Sequence, residues 1–374
     1  MKKITTLALG LLLASAAFAQ KGNKAEVLPS LQSTLGKHFL IGVAVDTRLP
    51  AGQDPAAEAI VKEQFNQVVA ENCMKGEVNH PEVNRFDFTD GDKLVDWAER
   101  NGKTVIGHCL VWHSQPPKWM FTDANGKTVS REVLIGRMYN HIMTVVTHYK
   151  GKIKGWDVVN EAFEDDGSYR KSPYYNIIGP EFIELAFQFA HEADPNVELY
   201  YNDYSTSKPG KREAICKLVR SLKSKGLRID AVGMQSHNGY NYPDYAEYEK
   251  SIEAFAAEGV KVMMTELDVN MLPNPEGFGG AEISQNFELQ AKYNPYVKGL
   301  DKKAQKLFNQ RYLDLFKIIE RHKDVISRVT FWGVNDGHTW LNDWPIKGRT
   351  NYPTLIDRNN QLKPVVKDIE KLFE

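Results

Sequence analysis

The chain has 374 residues, with hydrophobic residues at 42%, charged residues at 25% and a formal net charge of −1. That balance is ordinary for a globular protein and argues against a nucleic-acid partner, which demands clustered cations. Three cysteines (Cys73, Cys109 and Cys216) are too few and odd in number for a disulfide framework. They read as small buried hydrophobes, with a Cys73–Cys109 pairing left open.

At the N-terminus, Lys2 and Lys3 precede an apolar stretch from Ile4 to Phe18, and Ala17-Phe18-Ala19 offers a small-x-small cleavage site before Gln20. This predicts a signal peptide over 1–19, a short lead over 20–30 and a single domain over 31–374. The expected product is exported, to the periplasm, the cell surface or the medium. No later stretch approaches the length of a membrane span.

Apolar strand-like runs then recur near Phe39–Val45, Phe65–Asn72, Thr104–Trp112, Ile153–Val159, Val197–Asn202, Ile229–Gln235, Val260–Leu267 and Val329–Val334. Helical faces lie between most of them. Leu134, Met138, Ile142 and Val145 mark one; Ala214, Leu218 and Leu222 a second; Phe308, Tyr312, Leu315 and Ile319 a third. Eight strand–helix alternations predict an α/β fold, a single (β/α)8 TIM barrel. An open doubly wound sheet is disfavoured because no Gly-rich phosphate loop follows the first strand. Two irregular stretches, 164–176 and 270–300, read as rim loops.

Polar and aromatic residues gather where these runs end, which is where barrel enzymes build their sites. In chain order they are Glu71, Asn72, Lys75, His108, Trp112, His113, Gln115, Asn160, Glu161, Asn202, Asp203, Tyr204, Gln235, His237, Glu266, Asp268, Trp332, Asp336 and Trp340. Two of them stand out. Glu161 and Glu266 each close an apolar run, and two carboxylic acids facing one cleft are the minimal equipment for breaking a glycosidic bond. Indoles at strand ends suit the apolar C–H face of a sugar ring, so Trp112, Trp332 and Trp340 read as sugar platforms, whereas Trp97 and Trp156 read as core. The histidine spacing does not fit a metal site, so neither metal nor cofactor is expected.

The strings ENCMK (71–75), GHCLVWHSQ (107–115), WDVVNE (156–161), YND (201–203), QSH (235–237), TELDV (265–269) and TFWGVNDGHTW (330–340) occur in one order across the chain. In this the sequence resembles glycoside hydrolase family 10, the retaining endo-β-1,4-xylanases. The resemblance implies Glu161 as general acid/base and Glu266 as nucleophile. It implies supporting roles for Asn160, His237 and Asp268, with His237 touching the nucleophile. It further implies that Lys75, His108, Trp112 and Gln235 line the −1 subsite and that Glu71, Asn72 and Gln115 shape the −2 side. Trp332 and Trp340 would cover glycone sugars, and Tyr204 is a looser aglycone candidate.

The implied partner is xylan or a xylo-oligosaccharide, cut by a monomer. Gln115 and Trp340 match positions that crowd the hydroxymethyl group of glucose, which favours xylan over cellulose. Cys109, Gly76 and Thr339 depart from the family pattern without removing a catalytic group. A β-1,4-glucanase, a non-catalytic sugar-binding protein and a metal-dependent hydrolase are the competing readings.

Overall fold

The computed structural model describes residues 30–374. The signal peptide expected over 1–19 and the lead up to residue 29 lie outside the described residues. Nine strands form one sheet: β1 (Leu40–Val45), β2 (Gln67–Ala70), β3 (Thr104–Trp112), β4 (Ile153–Asn160), β5 (Glu198–Asp203), β6 (Ala231–Met234), β7 (His237–Gly239), β8 (Lys261–Asn270) and β9 (Ile326–Phe331). Every ladder is parallel. β1 pairs with both β2 and β9, and β6 pairs with β8, so the sheet closes on itself. The eight-membered ring runs β1-β2-β3-β4-β5-β6-β8-β9. β7 pairs only with β8 and continues β6 outward beyond a break.

That break is Ser236, whose φ of 64° lies in the left-handed region that side chains other than glycine seldom adopt. The sequence runs the sixth strand smoothly to Gln235; the structure instead turns there and resumes at His237.

Helices cover the outside of the ring, as parallel sheets require. The predicted faces point inward: Leu134, Met138, Ile142 and Val145 of Arg131–His148 are buried, as are Phe308, Tyr312, Leu315 and Ile319 of Lys302–Arg321. Both helices start where a side-chain oxygen accepts from a free backbone N–H. Ser130 accepts from Val133 N and Asp301 from Ala304 N, the latter at 2.8 Å. Ala214 of Pro209–Ser224 is only partly buried, with Leu218 and Leu222 behind it carrying the contact.

Two apolar layers result. One fills the space between strands and helices; a smaller one fills the barrel lumen with Ala44, Val69, Ile106, Tyr200, Ala231, Met263 and Trp332. The lumen also holds charge. Arg328 sits in the last strand with 2% of its surface exposed, over the Tyr200 ring and 3.7 Å from Asp157. The sequence reading began that strand at Val329, but the ladder starts at Ile326 because the Arg328 charge is neutralised inside rather than solvated outside. Gly42 and Gly233 make room in the lumen, since a Cβ there would collide with Gln67 and Asn202 respectively. Cys73, Cys109 and Cys216 are buried and free, so Cys73 and Cys109 do not pair. Among the described residues, no helix is long and apolar enough to cross a membrane.

Candidate active site

The strand ends converge on a cavity of about 130 Å³ at the C-terminal mouth of the barrel. Glu71, Asn72, Lys75, His108, Trp112, Gln115, Asn160, Glu161, Gln235, His237, Glu266, Trp332 and Trp340 line it. Asp268 lies directly behind His237, and Tyr204 lines a neighbouring cavity of about 430 Å³ that also touches His237. The predicted residues therefore come together, with Tyr204 one step removed.

Glu161 follows β4 with φ 59°, a conformation that costs a residue with a Cβ roughly 1–3 kcal/mol and persists only when its surroundings fix it. Here they do. Its N–H donates to the Asn202 carbonyl at 2.9 Å, and Arg170 Nε donates to its carbonyl at 3.0 Å. Its carboxylate accepts from Trp112 Nε1 (2.9 Å), Gln235 Nε2 (2.9 Å) and Asn160 Nδ2 (3.1 Å). Burial pushes its pKa up, and the charge of His113 and these neutral donors offset that push only in part. Glu161 thus holds its proton to higher pH than a free glutamate does.

Glu266, within β8, is as buried but differently surrounded. Its Oε1 accepts from Asn202 Nδ2 at 2.8 Å and its Oε2 faces His237 Nε2 at 3.2 Å. Burial again opposes the charge, yet the His237 hydrogen bond and the charges of His108 and His237 outweigh it and hold the pKa below the usual glutamate range. His237 remains a cation because Asp268 accepts from its Nδ1 at 2.9 Å. Although burial works the other way, Asp268 and Glu266 raise its pKa to about 10. The β7–β8 register sets this contact, placing His237 opposite Asp268.

One amide chain couples the two acids. Asn202 Nδ2 donates both to Glu266 and to Asn160 Oδ1 (3.0 Å), and Gln235 Nε2 reaches both Asn160 Oδ1 (3.3 Å) and Glu161. Thr265 Oγ1 donates to Asn202 Oδ1 at 2.6 Å, which fixes the amide the right way round.

The aromatic side chains of the cavity are equally tied down. Trp340 Nε1 donates to Asp268 at 2.9 Å, and its ring stacks on Trp344 with centroids 4.3 Å apart. Lys75 Nζ lies 4.8 Å above the Trp112 ring and donates to Asn72 and to Gln115, whose amide in turn donates to Glu77.

Some strand-end polar residues serve the scaffold instead. Asp203 accepts from Tyr201 Oη and the buried Lys211, and Tyr201 Oη in turn accepts from Ala162 N just past Glu161. Asp336 pairs with Lys363 at 2.8 Å and ties down Thr354. Tyr204 directs its hydroxyl at Arg170 Nη2, 2.6 Å away. His113 lies 3.5 Å from Glu282, a partner outside the sequence reading.

Asp157 went unnoticed too: it accepts from His108 Nδ1 at 2.9 Å and orients that ring toward the cavity. Its signal was available, since an acid inside an apolar strand run demands a partner. Ala281 and Ile283, which also line the cavity, carry no such mark in the sequence.

Comparison with known proteins is decisive for the family. The family model described as Glycosyl hydrolase family 10 matches residues 30–372. The chain belongs to glycosyl hydrolase family 10. As a member it is a retaining glycoside hydrolase, and its barrel is the family's fold. An endo-1,4-β-xylanase A of Xylanibacter ruminicola is 61% identical over 375 residues, covering 100% of both chains. An endo-1,4-β-xylanase of Geobacillus stearothermophilus is 41% identical, covering 90% of this chain and 96% of that one. Among solved structures, a family 10 endoxylanase retrieved from a sugarcane soil metagenome superposes with a TM-score of 0.86 at 43% identity, covering 92% and 99% of the two chains. A xylanase from Paenibacillus barcinonensis, bound to a conduramine derivative, gives 0.82 at 38% identity over 91% and 98%.

Proposed function

We propose that this family member is an endo-1,4-β-xylanase in which Glu266 is the nucleophile and Glu161 the acid/base. The observation that carries the assignment is the opposite electrostatic bias of two buried carboxyls facing one cavity: Glu161 biased toward its acid, Glu266 toward its anion. The xylanases among its relatives, one of them 61% identical across the whole chain, support the choice of substrate.

In the first step, the Glu266 carboxylate attacks the anomeric carbon while the bond to the leaving sugar oxygen breaks. Glu161 gives that oxygen its proton, so the products are a glycosyl ester on Glu266 and a freed chain end. In the second step, Glu161, now a carboxylate, takes a proton from water as the water oxygen attacks the same carbon, and Glu266 is released as its anion. Two inversions leave the configuration unchanged. In this reading Asn160, on the amide chain between the acids, hydrogen-bonds the sugar's 2-hydroxyl, and Gln115 and Trp340 crowd the hydroxymethyl group that glucose has and xylose lacks.

The test is reducing-sugar release from xylan and from carboxymethylcellulose by wild type, Glu161→Ala and Glu266→Ala, together with product analysis of an aryl β-xylobioside cleaved by each variant with azide added. Wild type should prefer xylan. Loss of the nucleophile should cost on the order of 10⁴-fold or more, and loss of the acid/base about 10²- to 10⁴-fold. Azide should yield a β-glycosyl azide with Glu161→Ala and an α-azide with Glu266→Ala. The opposite pairing of products would reverse the roles, and binding of xylan without cleavage by wild type would overturn the enzyme reading.

A further inference from the structure

The loop after β8 does not stay on its own side of the barrel. In the ring order, β3 stands opposite β8 and β4 opposite β9. Glu282 from the β8 loop nevertheless reaches Arg170 (3.0 Å), which follows β4, and His113 (3.5 Å), which follows β3. The β8 loop thus extends along the mouth past the ends of β5 and β4 toward β3. On the way, Gly280 lies directly against the Tyr204 ring, where a Cβ would collide, and Ala281 and Ile283 line the cavity that holds both carboxyls.

The near end is anchored as well. Phe278 packs on Trp344 at 5.5 Å between centroids, and Phe287 N donates to the Pro345 carbonyl at 2.9 Å. Between the two anchors, the Gln285 side-chain amide closes the turn by bonding both the N–H and the carbonyl of Gly279.

We propose that Glu282 is a specificity-determining residue: it pins residues 278–287 as a strap across the substrate groove, and the pin must release before an internal stretch of a long chain can settle there. Short substrates, which do not run beneath the strap, do not need that release. The inference rests on the xylanase reading above and adds a selection by chain length. The pin is suited to reversible release. It is an ion pair at the rim, Glu282 retaining about a quarter and Arg170 about an eighth of its side-chain surface, rather than a fully buried contact. Strap opening of this kind belongs to the microsecond-to-millisecond motions that limit turnover in many lidded enzymes.

The experiment compares kcat/KM on soluble polymeric xylan with kcat/KM on para-nitrophenyl β-xylobioside, in wild type, Glu282→Ala and Gln285→Ala. The two variants loosen the strap at different points, and neither residue lines the cavity of the two carboxyls. Both should raise the polymer-to-glycoside ratio, by roughly threefold or more for Glu282→Ala, since opening then ceases to gate the polymer. A ratio that stays constant or falls in both variants while the wild type cleaves both substrates overturns the strap and leaves the xylanase reading standing. A wild type that cleaves neither substrate overturns both. Equal losses on the two substrates would show that the residues serve only structure, and would also overturn it.

Discussion

Glu161 and Glu266 are buried to the same degree, 4% and 5% exposed, in one cavity of one barrel, yet they are biased toward opposite protonation states. Burial therefore does not separate them. Their hydrogen-bond partners do: Glu161 accepts from an indole and two amides, all neutral, whereas Glu266 faces an imidazolium that Asp268 keeps charged. Neutral donors and the charge of His113 only soften the penalty of burial at Glu161, whereas a hydrogen-bonded cation reverses it at Glu266. The lesson is that the division of labour is written one residue further out than the carboxyls themselves.

The strongest way to break this comparison is to make the two surroundings alike. His237→Asn keeps a polar group near Glu266 but removes the charge. Activity at neutral pH should fall roughly 10- to 100-fold, as a hydrogen bond to a charged group is worth about 1.5–3 kcal/mol. The acid limb of the pH–rate profile should move up, because Glu266 is ionised only above its pKa and that pKa rises when the cation is lost. An acid limb that stays put would show that His237 is not what holds Glu266 down.

A smaller effect sharpens the other half. Glu266→Gln removes a negative charge from the cavity while preserving its shape, so Glu161 should ionise more easily and its pKa should drop. NMR titration of labelled glutamate carboxyl carbons in this variant and in wild type measures the change. The same drop is what the second step of the proposed mechanism needs, since there Glu161 acts as a base once Glu266 is esterified. An unchanged Glu161 titration would leave that switch without an electrostatic cause.

How much of this was legible in the sequence depends on what kind of contact each residue makes. Period and apolar runs announced the eight strands and hence the mouth where Glu161 and Glu266 stand, because burial leaves a pattern along the chain. The family strings supplied Asp268 behind His237. Asp157 stands inside the run Ile153–Val159 and signals a need for a partner without naming it, whereas Arg328 cuts its apolar run short and displaces the expected start of its strand. Asp203 and Asp336 sit at strand ends like the site residues, but their partners, Lys211 in the next helix and Lys363 far along the chain, stand at no spacing that marks a pair. The crossing of the β8 loop was wholly illegible. Glu282, Arg170 and His113 share no periodicity, and their meeting exists only after the ring has closed.

The mildest test concerns Thr265, which touches neither carboxyl. Its hydroxyl is a donor to Asn202 Oδ1, a bond that joins those from the Asn202 Nδ2 to Glu266 and Asn160 in setting which end of the amide faces them. In Thr265→Val the shape is kept and the donor is lost, so a buried carbonyl oxygen is left unpaired at a cost of about 1–3 kcal/mol in stability. The amide would remain held by its two acceptors, Glu266 and Asn160, so catalysis should slip only severalfold while the melting temperature falls clearly. If activity instead falls as far as in His237→Asn, the orientation of Asn202 matters as much to Glu266 as the imidazolium does. The contrast between the two carboxyls would then rest on a neutral dipole as well as on a charge.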